Sequence, residues 1–200
     1  MNYRPITDVW PLARPKVKFF GAYPAGFLLR ARALLGVGRK DCVLHVCSGK
    51  IREYKCGPGC PGNDSVTHFH GFGVNDITMD ADVSLKPDYV FDARDGEAYI
   101  RIAADRHMWK ADRTIRAVLA DPPYLPEFAK QYAPGPSMFP TGDEIVKHSI
   151  SVLPVGGRVG ILSLGWPRYP KKTARQVALV AVYVGNGNLG RTFAVYERTA

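Results

Sequence analysis

The stretch Ala117-Val118-Leu119-Ala120-Asp121-Pro122-Pro123-Tyr124 reads as a buried strand that stops at two prolines. An acid stands at the strand end and an aromatic residue lies just past it. In an open α/β sheet, ligands bind outside the carboxyl ends of the strands. Asp121 and Tyr124 are therefore expected to project into a site.

Upstream of this corner, residues 1–15 are punctuated by proline and read as an extended arm. Phe27 to Leu35 carries apolar residues at helical spacing, with Arg30 and Arg32 expected to face outward and Gly36 and Gly38 to end the helix. Asp41 to Cys47 is the first clear strand, and Ser48-Gly49 turns the chain directly after it. A strand followed by a glycine turn opens a nucleotide-binding half. Residues 50–67 form an insertion rich in cysteine, glycine and proline. His68 to Met79 is strand-like but broken by glycine, and Asp88 to Ala93 is a short strand ending in acid. Glu97 to Lys110 is partly helical in pattern.

Downstream, residues 125–142 carry many prolines and read as a long loop. Long ordered loops are commonly lids or binding loops. Asp143 to Leu153 reads as a helix, and Arg158 to Leu164 as a buried strand. Gln176 to Val184 and Arg191 to Tyr196 pair as a hairpin across Gly185 to Gly190. Alternating strands and helices closed by a hairpin define an α/β domain. Its sheet should be mostly parallel with an antiparallel last strand, and residues 1–200 should form a single domain.

The chain of 200 residues has room for a proper core, and its formal net charge is +9. That charge favours an anionic partner, most simply nucleic acid. No run is apolar enough to span a bilayer, and Met1 to Pro15 lacks a signal-peptide core, so a cytoplasmic protein is expected. The four cysteines are then reduced or metal-bound rather than paired. Cys56 and Cys60 with His68 and His70 offer a zinc-type donor set, but the cysteine spacing is not the commonest one. Core or loop roles are preferred, and no metal is expected. Cys47 and His45 share a face of the first strand without a third group to orient the histidine. Cys47 is read as lining a pocket rather than as a nucleophile.

Three segments together resemble the Rossmann-like class I S-adenosylmethionine-dependent methyltransferases, in particular those acting on nucleobase amines. Val43 to Gly49 stands where that family has its cofactor loop. Asp121-Pro122-Pro123-Tyr124 is similar to the catalytic tetrapeptide of the adenine-N6 enzymes. Leu153 to Arg158 resembles the turn before the fifth strand of that fold. The resemblance covers roughly Phe19 to Arg198 and implies a mostly parallel seven-stranded sheet with an antiparallel C-terminal hairpin. It implies S-adenosylmethionine as cofactor, held by Ser48 and Gly49 at the methionine end, with His45 and Cys47 in the cofactor loop. Asp80 would serve the ribose hydroxyls, with Asp82 and Asp76 as alternatives. Asp92 and Ala93 would meet the adenine, and Phe20 and Tyr23 would close the pocket. The chain differs from the family at His45, where an acid is usual, and at Ile51, where glycine is usual.

The same likeness assigns the chemistry of the corner. An exocyclic amine is a poor nucleophile because its lone pair is delocalised into the ring. Two acceptors aimed at its N–H groups favour the tetrahedral form. Asp121 and the Pro122 carbonyl are that pair, Pro123 extends the motif, and Tyr124 stacks on the base. Adenine N6 in DNA is the preferred target; cytosine N4 and RNA bases stay open, as does a protein or small-molecule substrate. A catalytically silent nucleic-acid-binding subunit on the same fold is the rival reading. Trp166, Arg168, Lys171 and Lys172, with Arg175 nearby, mix aromatic and basic side chains suited to a nucleic-acid wall. The chain shows no separate recognition domain, so loops or a protein partner would supply target recognition.

Overall fold

The computed structural model describes residues 3–14, 23–53, 70–109, 114–123, 139–185 and 190–200. Phe20, Cys56, Cys60, His68, Tyr124 and most of the 50–67 and 125–142 segments lie outside the described residues.

Eight strands form one sheet. They are β1 (Ile6–Leu12), β2 (Cys42–Val46), β3 (Ile77–Asp80), β4 (Tyr89–Val90), β5 (Ile115–Ala120), β6 (Arg158–Ser163), β7 (Ala174–Val184) and β8 (Arg191–Arg198). Their order across the sheet is β1-β7-β8-β6-β5-β2-β3-β4. From β6 through β4 every neighbouring pair is parallel, whereas β8 runs antiparallel to both β6 and β7. The chain travels outward from β2 to β4, then returns to add β5 on the other side of β2. The crevice at the carboxyl ends of β2 and β5 is thus the topological switch point of a Rossmann-like sheet.

The described part of the expected arm, residues 3–14, includes a strand. Ile6–Leu12 adds an eighth strand, parallel to β7 and in register from Ile6↔Ala178 to Leu12↔Val184. Trp10 and Leu12 point inward at a spacing of two and are buried, and that alternation is what the prolines concealed. Pro11 is tolerated because β1 is an edge strand, where one row of backbone groups needs no partner.

Both faces of the sheet are covered. Helices α2 (Gly96–Trp109) and α3 (Gly142–Val152) lie over one face, with Leu44, Val46, Met79, Val118, Ala120 and Ile161 in the core between. Helix α1 (Phe27–Leu35) lies over the other, against Val43, Ala117, Leu119, Leu162 and Phe193. Alternate residues of β5 therefore feed opposite cores, which is why its sequence is apolar throughout. Gly36, at φ 69°, ends α1 in the left-handed conformation that favours glycine, and its N–H donates to the Ala33 carbonyl at 3.1 Å. At the start of α3, Thr141 and Glu144 form a reciprocal capping box.

Arg32 does not face outward. It is 3% exposed and donates through Nη1 to both carboxylate oxygens of Asp76, at 3.0 and 2.7 Å. Its Nη2 reaches the carbonyls of Gly38 and Asp41. Asp76 also accepts from the Val43 and Gly73 N–H groups, at 3.1 and 2.7 Å, and its Oδ2 lies 3.1 Å from His45 Nε2. One buried acid thus joins α1, β2 and the approach to β3. Burial pushes its carboxyl up, but the hydrogen bond from His45 and the charges of His45 and Arg32 outweigh that and hold it below the ordinary range.

Removing one partner of such a pair leaves a buried charge unsatisfied. We expect Asp76→Ala to destabilise the chain by about 3–5 kcal/mol, measured by urea or thermal unfolding. A change below about 1 kcal/mol would mean that Arg32 is solvated in the folded chain.

Candidate active site

The register of the parallel strands sets the site. Val46 pairs with Met79 on one side and with Ala120 on the other. The next residues along each strand, Cys47, Asp80 and Asp121, consequently reach one level on the rim. Cys47 adopts φ 52°, a left-handed conformation uncommon for a residue other than glycine. That backbone breaks the strand alternation. Cys47 packs toward the α2–α3 core, and its thiol is pushed well up by burial and then by the charges of Asp80, Asp121 and Asp92. His45 goes the other way: its ring meets Phe72 at 5.1 Å and hydrogen-bonds Asp76. The two residues do not share a face, and His45 does not join the rim. The same α1-side core takes Ile51 and Tyr23, whose ring stacks on Phe27 at 5.1 Å.

Ser48 and Gly49 form the turn after β2. Gly49 has φ 51°, and its N–H donates to Asp80 Oδ2 at 2.9 Å. A side chain there would strain the backbone, although no heavy atom of the described residues lies within 4 Å of the Cβ position. Ser48 is buried, and its hydroxyl has no hydrogen-bond partner among the described residues. Asp80 is pushed up by burial, partly offset by the Gly49 and Asp82 N–H groups that it accepts. Asp82 itself caps a short turn at Ser84, and Asp76 belongs to the buried ion pair, so neither alternative occupies the place of Asp80.

Asp92 follows β4. Its carboxylate accepts from Arg94 Nε and Nη2 and from the Arg94 backbone N–H, and the side-chain hydrogen bond from Arg94 holds its pKa low. Beside it, Ala93 is buried, and its carbonyl accepts from the Tyr99 hydroxyl at 3.2 Å.

Asp121 is the distinctive group. Burial raises its carboxyl from 3.8 to about 6, against the opposing pull of Arg191. Arg191 Nη1 lies 3.3 Å from Asp121 Oδ2, with both side chains nearly buried. Asp121 Oδ1 has no hydrogen-bond partner among the described residues. Pro122 is buried directly after it.

The segment after β6 leaves the sheet from the same rim. It packs on the start of α3: a Cβ at Gly142 would fall 2.5 Å from Pro167 Cγ. The Tyr196 hydroxyl donates to the Pro167 carbonyl. Trp166 is 67% exposed beside this rim. Lys171 and Lys172 are exposed but stand just before β7, whose first residue pairs with Arg198 at the end of β8, so they lie at the opposite edge of the sheet and do not join Trp166 in one wall. Arg168 donates to Asp143 through its backbone N–H at 2.8 Å and its Nε at 2.9 Å. That pair is exposed, so a phosphate could replace the carboxylate at little cost. Arg175 pairs with Glu197 and lies over the ring of Tyr3.

The cofactor residues expected from the resemblance thus divide. Cys47, Ser48, Gly49, Asp80, Asp92 and Ala93 collect at the carboxyl ends of β2, β3 and β4. His45 and Tyr23 lie in the opposite core. Arg191 was missed, because a cation at the start of a C-terminal strand carries no motif. Among the described residues no group of three or more His, Cys, Asp or Glu side chains is arranged to hold a metal ion. No described helix is long and apolar enough to cross a membrane.

No protein-family model matches the chain, and no curated protein matches it. Among solved structures, TrmN from Thermus thermophilus is similar over 90% of this chain, with 15% identity and a TM-score of 0.49. This chain spans 50% of that protein. An rRNA methylase from Streptococcus thermophilus is similar over 90% of this chain and 100% of its own, with 13% identity and a TM-score of 0.43. A candidate methyltransferase from Streptococcus mutans, solved with SAH, is similar over 88% of this chain and 99% of its own, with 13% identity and a TM-score of 0.44.

The raised carboxyl of Asp121 has a definite sign in stability. Between pH 3.8 and about 6 the folded chain retains a proton that the unfolded chain releases, so stability falls as pH rises through that window. Asp121→Asn should therefore be more stable than the parent at pH 7 by about 3 kcal/mol, with the difference vanishing near pH 4. Thermal melts across this range check it; a variant less stable at pH 7 would show that the ion pair outweighs the burial.

Proposed function

We propose that this protein transfers a methyl group from S-adenosylmethionine to an exocyclic amine of a nucleobase. The observation that carries the reading is Asp121: a buried carboxylate at the switch point, with one oxygen held by Arg191 and the other without a partner among the described residues. Such an oxygen is an acceptor waiting for an N–H donor.

The rim fits the cofactor on three counts. Among the described residues, the buried Ser48 hydroxyl has no hydrogen-bond partner and no heavy atom stands within 4 Å of the Cβ position at Gly49. Asp80 is an acid at the end of the second strand of the cofactor half, the position that serves ribose hydroxyls in dinucleotide folds. Ser48 and Gly49 would hold the methionine end, Asp80 the ribose, and Asp92 with Ala93 the adenine. S-adenosylmethionine, when bound, supplies an activated methyl group on a sulfonium.

The chain's own residues do the rest. Asp121 Oδ1 and the Pro122 carbonyl accept the two N–H groups of the target amine, which localises the nitrogen lone pair for attack. The proline ring fixes φ at Pro122 and so restricts where that carbonyl points. As the new C–N bond formed, the methyl–sulfur bond would break with release of S-adenosylhomocysteine, and Asp121 would accept the proton that the nitrogen sheds. Holding the amine in line with the donor supplies much of the remaining rate. A base within a duplex would have to leave the stack first.

The net charge of +9 and the exposed Trp166 beside this rim favour a nucleic acid over a small molecule. Adenine N6 is the target that the tetrapeptide favours, with DNA preferred on the same resemblance. Target recognition falls to the loops or to a protein partner.

Nucleoside mass spectrometry on DNA and RNA from cells expressing the protein or Asp121→Ala tests this. We expect an added N-methylated base with the parent chain and its loss in the variant. Identical profiles would overturn the catalytic assignment, and the nucleic acid that carries the mark decides between DNA and RNA. In vitro, the rate should climb as pH rises through about 6, because the ionised Asp121 is the stronger acceptor and the form that can take up a proton.

A further inference from the structure

We infer that Arg191 is the positioning residue of the acceptor corner: it anchors Asp121 Oδ2 and thereby aims Oδ1 at the amine. This rests on the methyl-transfer reading of the corner.

Parallel strands bring only their carboxyl ends to the rim, so a side chain at the beginning of a parallel strand lies on the far side of the sheet. Because β8 is antiparallel, its first residue arrives at the rim instead. Ser163, the last residue of β6, pairs with Thr192, so Arg191 stands just beyond the carboxyl end of β6. β6 in turn is the neighbour of β5, whose Ala120 pairs with Ile161. A long side chain can therefore reach over the end of β6 to the residue after β5. Arg191 does so, and its Nη1 lies 3.3 Å from Asp121 Oδ2. Its backbone is fixed by pairing with Val182 of β7.

The consequence for chemistry is twofold. A carboxylate with both oxygens loose could rotate about its terminal bond, whose torsional preference is broad. With Oδ2 anchored, rotation is restricted and Oδ1 is presented in one direction. The guanidinium also favours the ionised carboxylate, the stronger acceptor of an N–H and the form able to take up a proton. The other titratable groups bearing on this rim among the described residues are Cys47 after β2, Asp80 ending β3, and Asp92 after β4 with its partner Arg94. The three acids push the Cys47 thiol up, and Arg94 is taken up by Asp92. Arg191 is the group that acts in the other direction on Asp121.

The test uses the full chain and three variants: Arg191→Gln, Arg191→Lys and Asp121→Asn. Carbon-13 NMR follows the aspartate carboxyl titrations, with Asp121→Asn identifying the Asp121 signal. Methyl transfer is followed from labelled S-adenosylmethionine to random-sequence RNA and DNA pools across pH. In Arg191→Gln the Asp121 midpoint should rise by about one pH unit or more, and the rate profile should move up with it. At saturating pH the rate should still fall about tenfold or more, since the anchor is gone. Arg191→Lys should return the midpoint most of the way and the rate only in part, because lysine supplies the charge without the rigid planar fork. An Asp121 midpoint that is the same in the parent and Arg191→Gln overturns the inference. So does a shifted midpoint with an unchanged rate profile. Should Arg191→Gln fail to fold, Arg191→Lys decides alone: full parental rate at every pH refutes the anchoring geometry. Absence of transfer by the parent chain at every pH, on both pools, instead refutes the methyl-transfer reading, while the titration still reports whether the two side chains are coupled.

Discussion

A carboxylate buried at the switch point of a parallel sheet is the constraint on which this structure turns. Moving the Asp121 charge out of water is unfavourable, and its raised pKa records that. One opposing cation, Arg191, keeps the group close enough to ionisation for use near neutrality. That cation is available at the rim because the last strand runs against the others. The antiparallel hairpin is thus more than a way to close the sheet: it delivers a side chain to the one edge where parallel strands deliver only their ends.

Around that corner the two faces of the sheet divide the labour. The α1 face is held by a buried ionic knot of Arg32, Asp76 and His45 at β2 and, toward β8 and β1, by the aromatic rings of Phe27, Phe193 and Trp10. The knot ties α1 and the approach to β3 to β2, and strand register sets the level at which Cys47, Asp80 and Asp121 meet. The α2–α3 face is mostly apolar away from its rim, with Ser149 a buried polar side chain there. Charge that serves structure lies under α1, and charge that serves the proposed chemistry lies at the carboxyl edge. Cys47, in its left-handed conformation, stands at the boundary between the two.

The main frame was legible because its signals are local. Apolar runs of four to six residues, ended by Asp121-Pro122 or by Ser48-Gly49, mark buried strands and their exits, and Gly36 marks the end of α1. What stayed hidden depends on partners distant in sequence. Arg32 looks like a solvent-facing cation until Asp76, brought in by a later strand, is there to meet it. Residues 3–12 look like a proline-broken arm until β7 offers an edge for Trp10 and Leu12 to alternate against. His45 looks like part of the cofactor loop because strand parity puts it in line with Cys47; the positive φ at Cys47 breaks that parity. Arg191 carries no local signal, since only the sheet order reveals what lies across from it.

The central claim is that the rim formed by Ser48, Gly49, Asp80 and Asp92 holds S-adenosylmethionine within reach of Asp121. Calorimetric titration with S-adenosylhomocysteine tests it most directly, because binding is read without any need to know the methyl acceptor. The account predicts saturable binding by the parent chain, at least tenfold weaker in Asp80→Ala, and unimpaired in His45→Gln so long as that variant folds. No binding by the folded parent chain at millimolar ligand, or equal binding by parent and Asp80→Ala, would contradict it.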